Sequence, residues 1–213
     1  MFTKIDMNTW ERREHFQYYR ETLKCGYSLT ASIDVTDFLK KIREKNLKFY
    51  PSFVYCVGNV INHTKEFKMG LDEEGNPGYW DVVHPNYTVF HKDDHTFSDM
   101  WSCYREDFNE FYQEMVRDME NYGNRKGIKA REGQPPDFFC ISCVPWLSYT
   151  GYNTYCAGSE PSLIPVITFG KYEEENGRWK MPLTVTISHA AADGYHTAKL
   201  IQDIQKKINE ISF

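Results

Sequence analysis

Near the C-terminus, Met181-Pro-Leu-Thr-Val-Thr-Ile-Ser-His189 alternates apolar and polar residues without a break. A strict period of two predicts a strand with Leu183, Val185, Ile187 and His189 on one face and Thr184, Thr186 and Ser188 on the other. Three alanines and Asp193-Gly194 follow, and the chain then continues as an amphipathic helix from about 195 to 211, with Ala198, Ile201, Ile204 and Ile208 as its apolar stripe. A strand with one apolar face has to lie in a sheet packed against something apolar, so this segment points to a layered domain.

The remaining elements are consistent with that frame. Asn8, with Glu11 three residues on, predicts a helix over 8 to 22 on which Arg12, Phe16 and Tyr19 share a face. Residues 28 to 35 alternate as a strand, Thr36 caps a helical run, and Pro51 opens a second helix that is apolar nearly all round. Short strands are expected at 67 to 71 and 87 to 91. Phe97 and Ser98 then lead into a long helix reaching about Asn121, with Trp101, Phe108, Phe111, Tyr112 and Met115 as its stripe. The stretch 123 to 137 is rich in Gly, Pro and charge and reads as an excursion within one domain. Strands at 138 to 146 and 164 to 172 complete the order, which predicts an α/β two-layer sandwich with a mixed β-sheet, one domain over 1–213.

Several functions are disfavoured. The 213 residues include no apolar run approaching the ~18 of a membrane span, and Met-Phe-Thr-Lys-Ile-Asp does not start a signal peptide; a soluble cytoplasmic protein is expected. A formal charge of -5 provides no general basic surface for a nucleic acid. Six irregularly spaced cysteines read as reduced thiols, and Cys140-Ile-Ser-Cys143 lies in a predicted strand where its thiols face opposite sides, so no metal site is expected. No glycine-rich loop joins the first strand to a helix, which disfavours a nucleotide fold of that kind. Aromatic residues make up 16% of the chain, more than a core requires, and suggest aromatic-lined pockets.

His189 is the first candidate for chemistry, because a neutral imidazole at the end of an apolar face can accept a proton at physiological pH. Taken alone, His-x-x-x-Asp-Gly is short, and a satisfied histidine before a turn explains it as well. Six stretches together are more specific: Trp10-Glu-Arg-Arg-Glu-His-Phe16, Lys48-Phe-Tyr-Pro51, Tyr87-Thr-Val-Phe-His91, Thr96-Phe-Ser98, Val144-Pro-Trp146 and His189-Ala-Ala-Ala-Asp-Gly-Tyr-His196. In order and spacing they resemble the chloramphenicol acetyltransferases over nearly the whole chain.

That resemblance implies cytoplasmic homotrimers with active sites at subunit interfaces, acetyl-CoA as acetyl donor, and chloramphenicol or a similar small alcohol as acceptor. It makes His189 the general base and Ser142 the hydroxyl that donates to the oxyanion. Thr168 positions a water, and Asp193 becomes a structural carboxylate paired with Arg12. Tyr19, Phe97 and Thr154 fall at acceptor-pocket positions, Trp146 and Tyr172 along the CoA channel, and Lys171 near the CoA phosphates. Ser188, Ala192, Thr154 and the 123 to 137 loop depart from the family pattern, and the last two bear on the acceptor. Two other readings share the scaffold. A dihydrolipoyl acyltransferase core also carries His-x-x-x-Asp-Gly but normally follows a lipoyl domain and linker, whereas the first helix here is expected at about residue 8. A non-catalytic trimeric binding protein would need none of His189, Asp193, Arg12 and Ser142.

Overall fold

The computed structural model describes residues 1–154 and 161–213. From the N-terminus the chain forms β1 (Phe2–Lys4), α1 (Arg13–Gln17), β2 (Gly26–Asp34), α2 (Thr36–Glu44), α3 (Phe49–Asn62), β3 (Met69–Leu71), β4 (Pro77–Trp80), β5 (His84–Phe90) and β6 (Phe97–Trp101). It continues through α4 (Phe108–Tyr122), β7 (Phe138–Val144), β8 (Val166–Gly170), β9 (Glu173–Glu175), β10 (Arg178–Ser188) and α5 (Gly194–Glu210). Cys156 and the last two residues of Tyr152–Cys156 lie outside the described residues.

The alternating segment is the middle of the architecture. β10 pairs antiparallel with β2 on one side and with β8 and β9 on the other. β8 runs parallel to β7, β7 parallel to β5, and β5 antiparallel to β6, so the seven-stranded sheet is mixed. A smaller sheet, ordered β1-β4-β3, stands apart. Leu183, Val185 and Ile187 point inward with Ile141, Ile167 and Phe169, and all are buried beneath the helical layer. Full burial of each such side chain contributes roughly 1.5–3 kcal/mol. The second layer is led by α3, which is buried along most of its length, and α5, whose Leu200, Ile201, Ile204 and Ile208 face the core. The stripe therefore runs through Leu200, and Ala198 is only half-buried.

Some local expectations are corrected. The helix expected from Phe97 is two elements. Ser98 and Met100 are buried while Phe97, Asp99 and Trp101 face the other way, which is the period of a strand, and α4 starts only where Asp107 accepts from the Glu110 N–H. Trp101 is thus not part of the helical stripe. At the N-terminus, Asp6 Oδ1 takes the N–H and side-chain amide of Asn8, which holds residues 6 to 12 in turns and delays α1 to Arg13; Tyr18–Thr22 continues as a π-helical turn. Thr36 does not cap α2 either: Asp34 accepts the Thr36 N–H, while the Thr36 hydroxyl accepts from Trp179 N. Burial would raise the Asp34 carboxyl, but Thr36, Arg178 and Lys180 together hold it well below the usual carboxylate range.

The excursion after α4 is a strap along β6. Asp99 N donates to Ile128 O, Ala130 N donates to Asp99 O, and the Ser98 hydroxyl donates to Arg125 O. Arg131 anchors it with a 2.6 Å ion pair to buried Asp118, a hydrogen bond to Trp101 O and a stacked contact 3.9 Å above the Trp101 ring. Gly127 and Gly133, both at positive φ, allow its turns.

Candidate active site

His189 directly follows Ser188, the last residue of β10. Its backbone N–H donates to Cys25 O, and its ring stacks on Tyr19 with centroids 3.8 Å apart and planes 9° from parallel. The π-helical turn after α1 supplies this tyrosine. Tyr27 stands tilted on another side at 5.2 Å. His189 is half-buried, and its Nδ1 is buried without a hydrogen-bond partner.

The turn behind the ring is tightly held. Ala190, Ala191 and Ala192 are fully buried, and no larger side chain fits there without displacing a neighbour. Ser188 accepts the N–H of Ala190 on its hydroxyl and those of Ala191 and Ala192 on its carbonyl. Asp193 caps α5, taking the N–H groups of Tyr195 and His196 on Oδ1 while Oδ2 receives Arg12 Nη1 at 2.7 Å. Burial raises the Asp193 carboxyl, but the Arg12 hydrogen bond and the charges of His196 and Arg12 outweigh it and bring it down to about 2. His196 Nδ1 lies 2.8 Å from the same carboxylate, and its Nε2 lies 3.7 Å from Glu66. Sequence reasoning found Arg12 and Asp193 but missed His196. The signal was the Asp-x-x-His spacing, a capping box with histidine where glutamate is usual.

Ser142 occupies a different region. On the sheet face away from the helices, register aligns Asp99, Thr88, Ser142, Thr168, Thr184 and Thr30 in one row across six strands. Ser142 Oγ is 3.2 Å from Thr88 Oγ1, Thr184 Oγ1 is 2.8 Å from Thr30 Oγ1, and Tyr149 covers Thr168 and Thr184 by hydrogen bonds to both. His189 lies five residues beyond Thr184 along β10, and Ser142 two strands across. At ~3.3 Å per residue and ~4.8 Å per strand, the two α-carbons are on the order of 19 Å apart. One chain therefore holds His189 with Arg12, Asp193 and Tyr19, and holds Ser142 with Thr168, but does not bring the two groups together.

A cavity of about 620 Å³ opens beside Ser142. Register between β5 and β7 ends at Tyr87 and Ile141, and the strands separate beyond it. The cavity occupies that gap, lined by Thr88 and Val89 from one strand and Cys143 from the other. Trp146, Lys171 and Tyr172 line it too. Trp146 sits edge-on to Phe90, and Tyr172 packs on Phe49 and Trp179. Lys171 is paired with Glu173 at 3.1 Å. Phe97 is 53% exposed on the outward face of β6. Thr154 is exposed too, next to Asn153, which accepts from the Ser28 hydroxyl on β2.

Among the described residues no group of His, Cys, Asp and Glu side chains is arranged to hold a metal ion, and no helix is long and apolar enough to cross a membrane.

Comparison with known proteins gives concordant results. A family model described as chloramphenicol acetyltransferase matches residues 1–205. A chloramphenicol acetyltransferase of Clostridium butyricum is 40% identical over 205 residues, 96% of this chain and 94% of its own length. Among solved structures, a chloramphenicol acetyltransferase superposes with a TM-score of 0.86 at 21% identity, covering 98% of this chain and all of that one. A truncated catalytic core of the 2-oxoacid dehydrogenase multienzyme complex from Thermoplasma acidophilum shares the fold at a TM-score of 0.68 and 16% identity, covering 94% and 95% of the two chains.

Proposed function

Because the chain belongs to the chloramphenicol acetyltransferase family, we propose that it transfers the acetyl group of acetyl-CoA to a hydroxyl of chloramphenicol or a related small alcohol, in the cytoplasm, and so confers resistance to the antibiotic. His189 Nε2 takes the hydroxyl proton as the oxygen attacks the thioester carbonyl. The new C–O bond gives a tetrahedral oxyanion, to which the Ser142 hydroxyl donates, with Thr168 holding a water beside it. Collapse breaks the C–S bond, and the histidine returns its proton to the departing CoA sulfur. No acyl-enzyme forms, and the balance closes on one ester and one thiol.

The observation that carries this reading is the separation of two half-sites that complete each other. Around His189 there is an imidazole next to the turn held by Arg12 and Asp193, with Ser142 far away. Ser142 offers a donor hydroxyl 3.2 Å from Thr88, a residue that lines the cavity assigned to the arm of CoA, and His189 lies far from it. The reading joins them between two copies of the chain, with His189 and its Tyr19 meeting Ser142, Thr168 and Phe97 of the neighbour, in a homotrimer closed by rotation. Trp146, Tyr172 and Lys171 then flank the donor, and Thr154 lies on the acceptor side.

Release of CoA thiol from acetyl-CoA in the presence of chloramphenicol tests the activity. Mixing tests the sharing of sites. His189→Ala and Ser142→Ala chains, unfolded together at equal amounts and refolded, should regain about a quarter of wild-type activity, because random assembly pairs an intact His189 with an intact Ser142 at one interface in four. Activity no higher than that of the separate variants would refute a shared site.

A further inference from the structure

The row that contains Ser142 does not end in hydroxyls. Asp99 stands opposite Thr88, and Thr88 adjoins Ser142, which places the carboxylate two strands, about 10 Å, from the oxyanion donor. It shares the outward face of β6 with Phe97, two residues or about 7 Å away. Lys129 reaches the same place from the strap, 3.0 Å from Asp99 Oδ2, and also donates to Gln134 Oε1. The side chains of Asp99 and Lys129 are 24% and 49% exposed. Both charges act on Cys140, which lies on the outward face of β7 two residues before Ser142: burial raises that thiol, the Asn86 contact lowers it, Asp99 adds to the rise and Lys129 opposes it. A second, independent sign is Asn86. It lies two residues before Thr88 on the same face, is only 6% exposed, and its Oδ1 has no donor. A buried carboxamide oxygen without a partner is destabilising, and a donor that reaches it relieves the penalty.

We propose that Asp99, Lys129 and Asn86 form a polar wall of the acceptor pocket that selects alcohols whose far end carries O–H or N–H donors, polyhydroxylated or amide-bearing acceptors, over those that present an alkyl or aryl surface there. This rests on the reading that the acceptor binds the open sheet face in front of Ser142. An apolar tail laid on this wall removes water from a carboxylate and an ammonium and returns no hydrogen bond. A hydroxylated tail replaces that water group for group. Discrimination of this kind is large, because an analogue lacking the donor leaves the wall's polar groups unpaired. Lys129 neutralises Asp99, which favours a neutral donor over a cation.

The test uses acetyl-CoA and two primary alcohols of equal size, one with a hydroxylated tail and one with an alkyl tail, scored as the ratio of their kcat/KM values. The wild type should favour the hydroxylated alcohol at least tenfold. Asp99→Ala with Lys129→Met, which removes both charges at once, should reduce that ratio by a factor of ten or more, mainly through KM. Lys129→Gln, on a half-exposed side chain, leaves Asp99 without its cation and should raise the ratio by a smaller factor, and it guards against misfolding of the double variant. A wild-type preference for the alkyl tail, or a ratio unmoved in both variants while His189→Ala abolishes turnover, overturns the polar wall and leaves the acetyl transfer standing. No thiol release by the wild type with either alcohol or with chloramphenicol overturns both.

Discussion

The two halves of the candidate site are built in opposite ways. Around His189 the turn is held by many hydrogen bonds: Asp193 accepts from Arg12, Tyr195 and His196, and Ser188 takes three N–H groups of the turn, although Arg12 Nε and His189 Nδ1 are buried without a partner. Most of these contacts join residues within eight positions, with Arg12 the single distant member. Around Ser142 the contacts are long-range pairings between strands, and the face is partly covered: Tyr149 lies over buried Thr168 and Thr184, while Ser142 keeps some exposure. The first half fixes a ring in one orientation. The second offers a surface that, under the proposed function, the acceptor, the donor and a second subunit share. Under that proposal rigidity falls to the proton-transfer partner and adaptability to the recognition surface, which matches the demands of each, since a misplaced base loses rate and an adjustable wall changes only substrate choice.

Substitutions on either side sharpen this comparison. His189→Ala should lose roughly 10³-fold in kcat, within the 10²–10⁴ range of a general base, with acetyl-CoA binding retained by calorimetry. Ser142→Ala should lose about 10²-fold in kcat with little change in the KM for acetyl-CoA, as removal of one oxyanion donor does. An equal loss in binding would make Ser142 part of the surface rather than the chemistry. Arg12→Ala should destabilise the chain by roughly 1–3 kcal/mol in urea, because it leaves the half-buried Asp193 carboxylate without its cation, and should reduce kcat more than KM. His196→Ala should cost about 1 kcal/mol as a lost cap and alter kcat only a few-fold. If it matched Arg12→Ala, the turn would depend on the capping box more than on the ion pair.

The smallest effect is a pH dependence on the rigid side alone. Asp193 has its carboxyl lowered from 3.8 to about 2, so its contribution is fully present above about pH 4 and is lost as pH falls through about 2. Thermal melts of wild type and Asp193→Asn should therefore differ most above pH 4 and converge toward pH 2. Curves that stay parallel through this range would mean that the carboxylate charge does not hold the turn.

The same division decided what was legible in the sequence. β2, β10, α2 and α5 could be read because each has an apolar face with its own period, and Arg12 and Asp193 emerged from the motif stretches. β6 was misread because Trp101, Phe108, Phe111 and Met115 fall at helix-like spacings, although Asp107 interrupts them with a cap. The strap showed only as a loop, since its hydrogen bonds follow an edge strand formed some thirty residues earlier. The Asp99–Lys129 pair was invisible for a related reason. It depends on the register of β6 against β5 and of the strap against β6, and neither residue belongs to a local pattern. What lies in one turn of chain can be read from that turn, and what lies across strands needs the register.

The strap has one further consequence. By pairing its backbone with β6 it closes one border of the large sheet, which otherwise offers free N–H and C=O groups to any passing strand. The same segment carries Lys129, so a change in its backbone path opens the border, whereas a change of the side chain at 129 leaves the Ile128 and Ala130 pairing with Asp99 in place.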